Sequence, residues 1–399
     1  MELYLQFGWG MMEHSRAMIA EWEGGTVILS PRDLSDGQLA RLSTSVRRLQ
    51  NGRVMLDPQF YLPHSDHTRL VAHPYWPNGY STGSFFAGSQ LTKLLADLRD
   101  LNSRLRTFEV ILPGLLADQI NDDWLSTQKT ILVEARTVGF DVPLCQTVAI
   151  SADACRSESQ IAKLLEHSAE NRAESYYLVC EHPKGNYLVD DAMWLANVID
   201  VAAGLKLSGA RVIIGYCNHQ MLIAGTTKAD AIASGTWMNV RSFPPEKFRS
   251  TYEDEIRQRA VWFYCPQALS EYRLPFLDIA QKIGKLNLMA PIPPSSRTST
   301  LFTGGQPSTI GLSEPDAFQH YLSCLKEQVD SAVKRTFDET VSAHDLILTE
   351  AEELLNSLRA SRIKGQMRDF AEIVDVNRAA LAALEATRGP ILRRRWSTL

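Results

Sequence analysis

The chain has 399 residues, which suits one large domain with an extension. Hydrophobic residues make up 45% of the sequence, charged residues make up 22%, and the net charge is −5, as in an ordinary globular protein. This composition excludes a global basic field for binding nucleic acid or a membrane surface.

Apolar runs and cysteines indicate the compartment. No apolar run reaches the roughly 18 residues of a membrane span. The N-terminal residues lack the basic and apolar regions of a signal peptide, and the 6 cysteines form no CxxC pair. We therefore expect a cytoplasmic protein with free thiols and no membrane contact.

The first 243 residues repeat one unit, a β-rich apolar run followed by an amphipathic helix. Eight such runs are predicted as strands: 3–9, 26–33, 53–61, 108–115, 142–150, 175–183, 210–219 and 230–240. The clearest helices between them are 36–50, 89–106, 124–139, 158–171 and 191–209. Because most of these strands are apolar without alternation, they are predicted to be parallel and covered by helices on both faces.

Eight such units within about 250 residues predict an α/β fold, a (β/α)8 TIM barrel over residues 1–290 with appended helices. A doubly wound open sheet is the alternative, although no Gly-rich phosphate fingerprint follows the first strand. The region after residue 243 is predicted to be helical. Residues 291–312, rich in Pro, Ser and Gly, predict a linker, and residues 313–399 predict a C-terminal helical region. The linker predicts that the barrel folds without this region.

Barrel active sites lie at the C-terminal ends of the strands, so the residues after each strand are the site candidates. Two carboxylates, Asp57 and Glu181, are the catalytic candidates. The remaining candidates combine amides, imidazoles, hydroxyls and aromatic rings, which suit a planar polar ligand such as a nucleobase. These substrate-binding candidates are Gln59, Gln146, His182, Tyr216, Asn218, His219, Ser234, Trp237 and Arg241. Each also has a structural interpretation, such as a turn cap or a surface residue.

A long loop, residues 62–89, follows the third strand and is of the kind that forms a lid or a binding loop. It contains His64, Asp66, His67 and His73, whose side chains are of the types that bind zinc or iron. Their spacing matches no metal-binding motif, and a solvated loop is the simpler interpretation. We therefore expect neither a metal nor another cofactor.

Four of the strand runs resemble the tRNA-guanine transglycosylase superfamily. "MLDPQFY" is similar to the family's third strand with its Asp and Gln, and "LCQT" aligns Gln146 with a base-reading Gln. "VIIGYCNH" and "KADAIASGTWMNVR" are similar to the last two strands, and the resemblance covers residues 1 to about 285. It implies a barrel that acts at the N-glycosidic bond of a guanine-type base, with Asp57 as acid or base and with Gln146 and Asn218 at the base edge.

Several departures from the family pattern concern its chemistry. Counting from Asp230, the family's nucleophilic Asp falls on Ala233, whose methyl group cannot attack a glycosidic carbon. Arg241 is displaced by two positions, Pro58 and Gln59 replace glycines, and the family's cysteine-rich zinc site is absent. The sequence is therefore more similar to zinc-free relatives that handle 7-deazaguanine on DNA or occur in bacterial antiviral defence operons.

Two functional hypotheses follow. In the first, the protein acts at an N-glycosidic bond of a guanine or 7-deazaguanine base or nucleotide, with tRNA or DNA as candidate carriers of that base. In the second, it is a pseudoenzyme that binds such a base, nucleotide or nucleic acid, or an operon-encoded partner protein or a second copy. A metal-dependent hydrolase ranks lower, because the first strand has no His-x-His.

Overall fold

The computed structural model describes residues 1–80, 82–252 and 260–399. One sheet of parallel strands lies at its centre. The strands are β1 (Glu2–Gln6), β2 (Gly25–Leu29), β3 (Gly52–Leu56), β4 (Val110–Ile111), β5 (Leu116–Ala117), β6 (Leu144–Ile150), β7 (Ser175–Cys180), β8 (Arg211–Ile214) and β9 (Ala231–Ser234). They follow the order β3-β2-β1-β9-β8-β7-β6-β4, and β5 also pairs with β6.

This sheet is a nearly closed (β/α)8 barrel. Because β4 and β5 both pair with β6 and are separated only by residues 112–115, they are two halves of the fourth barrel strand. Between β3 and β4 the amide of Phe108 donates to the carbonyl of Val54 at 3.2 Å, which brings the two ends of the sheet together. The predicted barrel is confirmed, and the open doubly wound alternative is wrong.

Strand register determines which side chains face the barrel interior. Residues in register on neighbouring parallel strands face the same side of the sheet. A Cβ atom added to Gly215 would lie 2.5 Å from the Tyr177 ring, so the ring uses the interior space that this glycine leaves. Thr147 is in register with Tyr177 and Cys145 with Ser175, which places these four side chains inside the barrel.

Amphipathic helices form the outer layer. They are α1 (Met11–Glu21), α2 (Asp36–Arg47), α3 (Thr82–Phe85), α4 (Ser89–Leu105), α5 (Asp122–Val138), α6 (Ala152–Cys155), α7 (Glu158–Glu170), α8 (Ala192–Leu207), α9 (Met238–Arg241), α10 (Leu274–Lys282), α11 (Pro307–Ile310), α12 (Glu314–Ser331), α13 (Phe337–Ala360), α14 (Val374–Thr387) and α15 (Gly389–Arg395). Local sequence sets their starts, as at α5, where the Asn121 side chain accepts a hydrogen bond from the amide of Trp124.

The region after residue 243 differs from the helical prediction. An antiparallel hairpin, β10 (Trp262–Cys265) and β11 (Ser270–Arg273), precedes α10. Residues 253–259 of the predicted helical region lie outside the described residues. The hairpin sequence WFYC is rich in aromatic residues, which favour strands, and Leu269 adopts a left-handed turn conformation with φ of 46°.

The connection between β8 and β9 is a 3-10 helix, His219–Thr227, whose residues are all buried. Helices α12, α13 and α14 pack over it. A Cβ atom on Gly225 would lie 2.8 Å from the carbonyl oxygen of Ala332, so glycine allows this close approach. The C-terminal helices therefore cover a side of the barrel that a longer connecting helix would otherwise cover.

The C-terminal helices share one continuous hydrophobic core with the barrel. Helix α14 lies along α8, and α12 contacts β1 and β10. Three α12 side chains, Tyr321, Leu322 and Leu325, are almost completely buried. This packing opposes the prediction that the barrel folds without them, because their removal would expose apolar barrel surface to water.

Arginines of the C-terminal region form ion pairs. Arg368 lies 2.7 Å from Glu271 on β11, Arg388 lies 2.7 Å from Asp200 on α8, and Arg393 lies 2.7 Å from Asp338 on α13. These guanidinium groups are engaged with carboxylates rather than displayed as a cationic surface. Within the described part of the chain, no helix combines the length and the apolar character needed to cross a bilayer.

Candidate functional site

A buried carboxylate, Asp57, lies directly after β3 at the C-terminal mouth of the barrel and is 1% exposed. Its Oδ2 atom accepts hydrogen bonds from the hydroxyls of Tyr216 (2.7 Å) and Tyr61 (2.9 Å), and its Oδ1 atom accepts from the amide of Gln59 (2.9 Å). Burial raises the pKa of Asp57, although these hydrogen bonds and the Lys247 ammonium oppose the rise. Such a carboxyl retains a proton at a pH where an exposed Asp has lost it.

Two of the residues that donate hydrogen bonds to Asp57 have an uncommon backbone conformation. Gln59 and Tyr216 both lie in the left-handed region, each with φ of 55°. The side-chain nitrogen of Gln59 donates to Ser30 Oγ (2.8 Å) and to the Tyr216 hydroxyl (3.2 Å). Its side-chain oxygen accepts from the backbone amide of Arg32 (2.8 Å). Non-glycine residues in such conformations cost energy and cluster at functional sites, so this pair marks the mouth as a candidate site.

Residues 243–248, which we call the mouth segment, cover Asp57. The Phe243 ring centre lies 4.9 Å from that of Tyr61 and 5.2 Å from that of Tyr216. The Lys247 ammonium lies 3.8 Å from the centre of the Tyr216 ring and donates to the carbonyl of Asn239 at 2.7 Å. Phe243, Lys247 and Phe248 are all buried, so aromatic rings and one cation enclose the carboxylate.

Beneath this cluster, the Tyr177 hydroxyl donates to Oε1 of Gln6 at 2.7 Å inside the barrel. Burial raises the pKa of Tyr177, and the negative charge of Asp57 raises it further, so the two groups interact. Sequence reasoning missed Gln6, Tyr61, Tyr177 and Lys247. Tyr61 could have been found as a polar aromatic residue four positions after Asp57, whereas Lys247 lies in a short 3-10 helix, Pro245–Phe248, that has no local sequence signal of a site.

The second catalytic candidate, Glu181, follows β7 and is half-buried. Its Oε2 atom accepts from the amide of Ala152 at 3.0 Å, at the start of α6. Burial raises the pKa of Glu181, and the nearby carboxylates of Asp118, Asp153 and Glu246 raise it further. The hydrogen bonds of Glu181 differ from those of Asp57, so the two carboxylates do not share one network.

His182 lies in the loop after Glu181 and is buried. Its Nδ1 atom lies 2.9 Å from the carbonyl oxygen of Asn186, and its ring packs edge-on against Trp194 at 5.3 Å. Burial lowers the pKa of His182 to about 4, so the ring is neutral at pH 7. These contacts hold the loop after β7 together, and neither of them involves Asp57.

Gln146 does not face the mouth. It is in register with Tyr176, one position before the interior pair Thr147 and Tyr177, so its side chain faces the outer helices. Its amide nitrogen lies 3.2 Å from the backbone oxygen and 3.3 Å from the side-chain oxygen of Gln128 on α5. This placement corrects the prediction that Gln146 reads a base at the mouth.

On β9, Ala233 and Ser234 face opposite sides of the sheet. Ala233 is in register with Tyr4, two positions before Gln6 on the interior face of β1. Ser234 faces outward, toward Tyr321 of α12. Ala233, the position that the sequence resemblance aligns with a nucleophile, is therefore directed into the barrel but carries only a methyl group, and the Ser234 hydroxyl points away from the interior.

Arg241 belongs to a separate buried ion-pair cluster and not to an anion site. Its Nη1 atom lies 3.2 Å from Oε2 of Glu271 on β11, and its guanidinium carbon lies 3.4 Å from the centre of the Tyr321 ring. Glu271 also accepts from Arg368 (2.7 Å) and from the hydroxyl of Tyr187 (2.8 Å). Burial alone would raise the pKa of Glu271, but Arg368 and Arg241 hold it at about 2.

Asn218 and His219 start the 3-10 helix after β8. The Asn218 side chain accepts from the amide of Gln220 (2.8 Å) and donates to the carbonyl of Tyr187 (2.6 Å), so it caps the helix. The His219 ring lies among aromatic side chains, 5.0 Å from Tyr264, and burial lowers its pKa to about 4. The structure gives both residues packing roles.

Trp237 lies after β9 and is half-buried. Its ring contacts those of Trp9 at 6.2 Å and Phe318 at 5.1 Å, both edge-on. Trp9 is 56% exposed, so this group of rings lies at the surface. Of the predicted residues, Asp57, Gln59 and Tyr216 therefore form one hydrogen-bonded site. The other candidates do not belong to that network, although Glu181 lies close enough to Glu246 of the mouth segment for their charges to interact.

Among the described residues, no group of three or more His, Cys, Asp or Glu side chains is placed so that it could hold a metal ion. In the loop 62–89, His73 Nε2 lies 3.0 Å from the carbonyl oxygens of both Pro31 and Leu34. Asp66 accepts from the amide (2.7 Å) and the hydroxyl (2.5 Å) of Ser250. These two side chains thus attach the loop to neighbouring segments.

No protein-family model matches the chain, and no curated protein matches it. Among solved structures, it is similar to the carboxyl transferase domain of Rhizobium etli pyruvate carboxylase, with 10% identity and a TM-score of 0.37 over 97% of this chain and 60% of that one. The same domain with pyruvate has 10% identity and a TM-score of 0.37, over 98% of this chain and 78% of that one. At this level of similarity they identify no family and no activity.

Proposed function

We propose that the barrel mouth binds a guanine-type base, guanine or 7-deazaguanine, free or as its nucleotide, with Asp57 as the recognition group. The observation that carries this proposal is the fully buried carboxylate of Asp57, which accepts hydrogen bonds from two residues with a left-handed backbone conformation, Gln59 and Tyr216. Guanine presents adjacent N–H donors on one edge, which a carboxylate accepts, and the rings of Tyr61 and Tyr216 provide apolar faces for its plane.

In the catalytic form of the proposal, Asp57 faces the glycosidic nitrogen instead of the donor edge of the base, and it acts as the acid at the N-glycosidic bond. Its raised pKa favours the protonated form, which can protonate the leaving nitrogen as the bond to the sugar carbon breaks. Because Ala233 offers no nucleophile, water attacks the sugar carbon directly and its proton passes to a second carboxylate. Glu181 is the candidate for that carboxylate, and a nucleoside, tRNA or DNA would carry the base.

The test compares two buried carboxylates of the same barrel. Asp57→Asn should abolish guanine binding measured by calorimetry, while Glu109→Gln at the opposite end of the barrel should keep it. Glu109 is 1% exposed and lies 2.9 Å from Arg211, so its variant tests whether binding loss merely follows damage to the barrel. Two results would exclude this function. In the first, guanine and 7-deazaguanine bind Asp57→Asn as tightly as the wild type, and in the second, neither base binds the wild type.

The two variants should also differ in stability. Because the folded-state pKa of Asp57 is raised, its ionisation opposes folding as the pH rises above the unfolded value of 3.8, and a neutral Asn removes this cost. The melting midpoint of Asp57→Asn at pH 7 should therefore stay near that of the wild type. Glu109→Gln leaves Arg211 without its carboxylate partner and should melt earlier.

The second candidate is a barrel without turnover that binds a base, a nucleic acid or a protein partner, which includes a second copy. The methyl group at Ala233 and the covered mouth favour it. Release of free base from guanosine, 7-deazaguanosine or tRNA, followed by chromatography, separates the two candidates. Base release that disappears in Asp57→Asn supports the enzyme, and binding without release supports the inactive barrel.

A further inference from the structure

The mouth segment places two groups against the tyrosines that hydrogen-bond to Asp57, and together these groups match the chemistry of the proposed ligand. Phe243 supplies a planar ring, whose centre lies 4.9 Å from the Tyr61 ring centre and 5.2 Å from that of Tyr216. Lys247 supplies N–H donors on a cation that lies 3.8 Å from the centre of the Tyr216 ring and whose charge favours the ionised form of Asp57. A ring and N–H donors are also what a guanine base would bring to this site.

Contacts outside the ring cluster hold the mouth segment in place. The Arg32 Nε atom donates to the carbonyl of Lys247 at 2.6 Å, and the Ser65 hydroxyl donates to the carbonyl of Phe248. Just beyond the segment, Asp66 accepts from the amide of Ser250 (2.7 Å) and from its hydroxyl (2.5 Å). We call this Asp66–Ser250 pair the latch. It is exposed, so water can replace its hydrogen bonds when it opens.

We propose that residues 243–248 are an internal occupant of the ligand site, which a planar ligand with adjacent N–H donors displaces. The proposal rests on the proposed function for the identity of that ligand. The covered and open forms are then in equilibrium, and the apparent affinity is the affinity of the open form reduced by the fraction that is open. Weakening the latch should therefore tighten ligand binding without any change in the binding residues.

The same geometry predicts which bases bind. When Lys247 leaves with the segment, the ionised form of Asp57 loses a positive neighbour and becomes less favourable in this buried setting unless new donors replace the ammonium. The ligand must therefore supply its own donors. Guanine, with an amino group beside a ring N–H, should bind more tightly than hypoxanthine, which lacks the amino group, by about tenfold or more.

The chain contains a matched control for the latch. Asp278 accepts from the amide (2.8 Å) and the hydroxyl (2.5 Å) of Ser308, the same arrangement as in Asp66–Ser250. It lies on α10, in a different part of the chain. Asp66→Ala should bind guanine roughly two- to tenfold more tightly than the wild type, whereas Asp278→Ala should bind it as the wild type does. Equal affinities for the wild type and Asp66→Ala would overturn the proposal.

Hydrogen exchange of residues 243–248 tests the internal occupant without any ligand. Their backbone amides should exchange faster in Asp66→Ala than in the wild type and in Asp278→Ala, and unchanged exchange would overturn the proposal. If no variant binds guanine but this exchange difference is present, the proposed function fails while the displaceable segment stands. Phe243→Ala should also bind guanine more tightly, and weaker binding would overturn the proposal, because Phe243 would then contact the ligand and not be displaced by it.

Discussion

The buried ion-pair cluster around Glu271 predicts a large stability effect that depends on pH. Glu271 is 2% exposed and accepts hydrogen bonds from Arg368 at 2.7 Å and from Tyr187 at 2.8 Å. Glu271→Gln removes the charge and leaves both Arg241 and Arg368 without their carboxylate. Breaking a buried ion pair by neutralising one partner costs about 3–5 kcal/mol of unfolding free energy, and we expect that loss at pH 7.

The pH dependence of this loss follows from the pKa of Glu271, which is about 2 in the folded protein against an ordinary value of 4.5. Because the folded pKa is the lower one, the stabilisation is fully present above pH 4.5 and is lost as the pH falls toward 2. The whole difference corresponds to about 3 kcal/mol, at 1.36 kcal/mol for each tenfold change in proton affinity. Between pH 7 and pH 3.5, the advantage of the wild type over Glu271→Gln should shrink by roughly 1 kcal/mol.

Urea unfolding of wild type and variant at both pH values measures these quantities. The matched control is Glu352→Gln, because Glu352 lies 2.7 Å from Arg378, the same separation as between Glu271 and Arg368, but is 40% exposed. An exposed pair of this kind contributes about 0–1 kcal/mol, so the control should change little. A loss of less than about 1 kcal/mol in Glu271→Gln, or a difference that stays constant between the two pH values, would refute the reasoning.

Three further predictions concern packing and acid stability. Truncation after Thr309 should give a protein that aggregates in light scattering, because α12 to α14 cover the buried 3-10 helix and the side of the barrel beneath it; a monodisperse, folded fragment would contradict this. Gly215→Ala should lower the melting midpoint strongly, since its Cβ atom would lie 2.5 Å from the Tyr177 ring, and an unchanged midpoint would mean that the ring moves freely. The pKa of His219 is about 4 in the folded protein against an ordinary value of 6.5, so His219 opposes folding as the pH falls below 6.5. Between pH 7.5 and pH 5, the wild type should therefore lose about 2 kcal/mol more unfolding free energy than His219→Phe, measured by urea unfolding.

The sequence by itself determined the barrel. Eight apolar runs with helices between them require parallel strands buried on both faces, because strands and helices differ in the periodicity of their buried side chains. The same rule placed Asp57, Gln59 and Tyr216 at strand ends on one side of the barrel, where they form a single hydrogen-bonded site. Local patterns were sufficient because both depend on short stretches of chain.

Tertiary structure decided which candidates share that site. Gln146 comes before Thr147 in β6, and the register of the strands turns its side chain outward to Gln128, which no short-range pattern reveals. Arg241 pairs with Glu271, 30 positions later on a hairpin that the sequence did not predict. Lys247 reaches Tyr216 only because the chain folds back over the mouth. Long-range charge pairing and chain reversal depend on the whole fold, so they could not be inferred from local sequence.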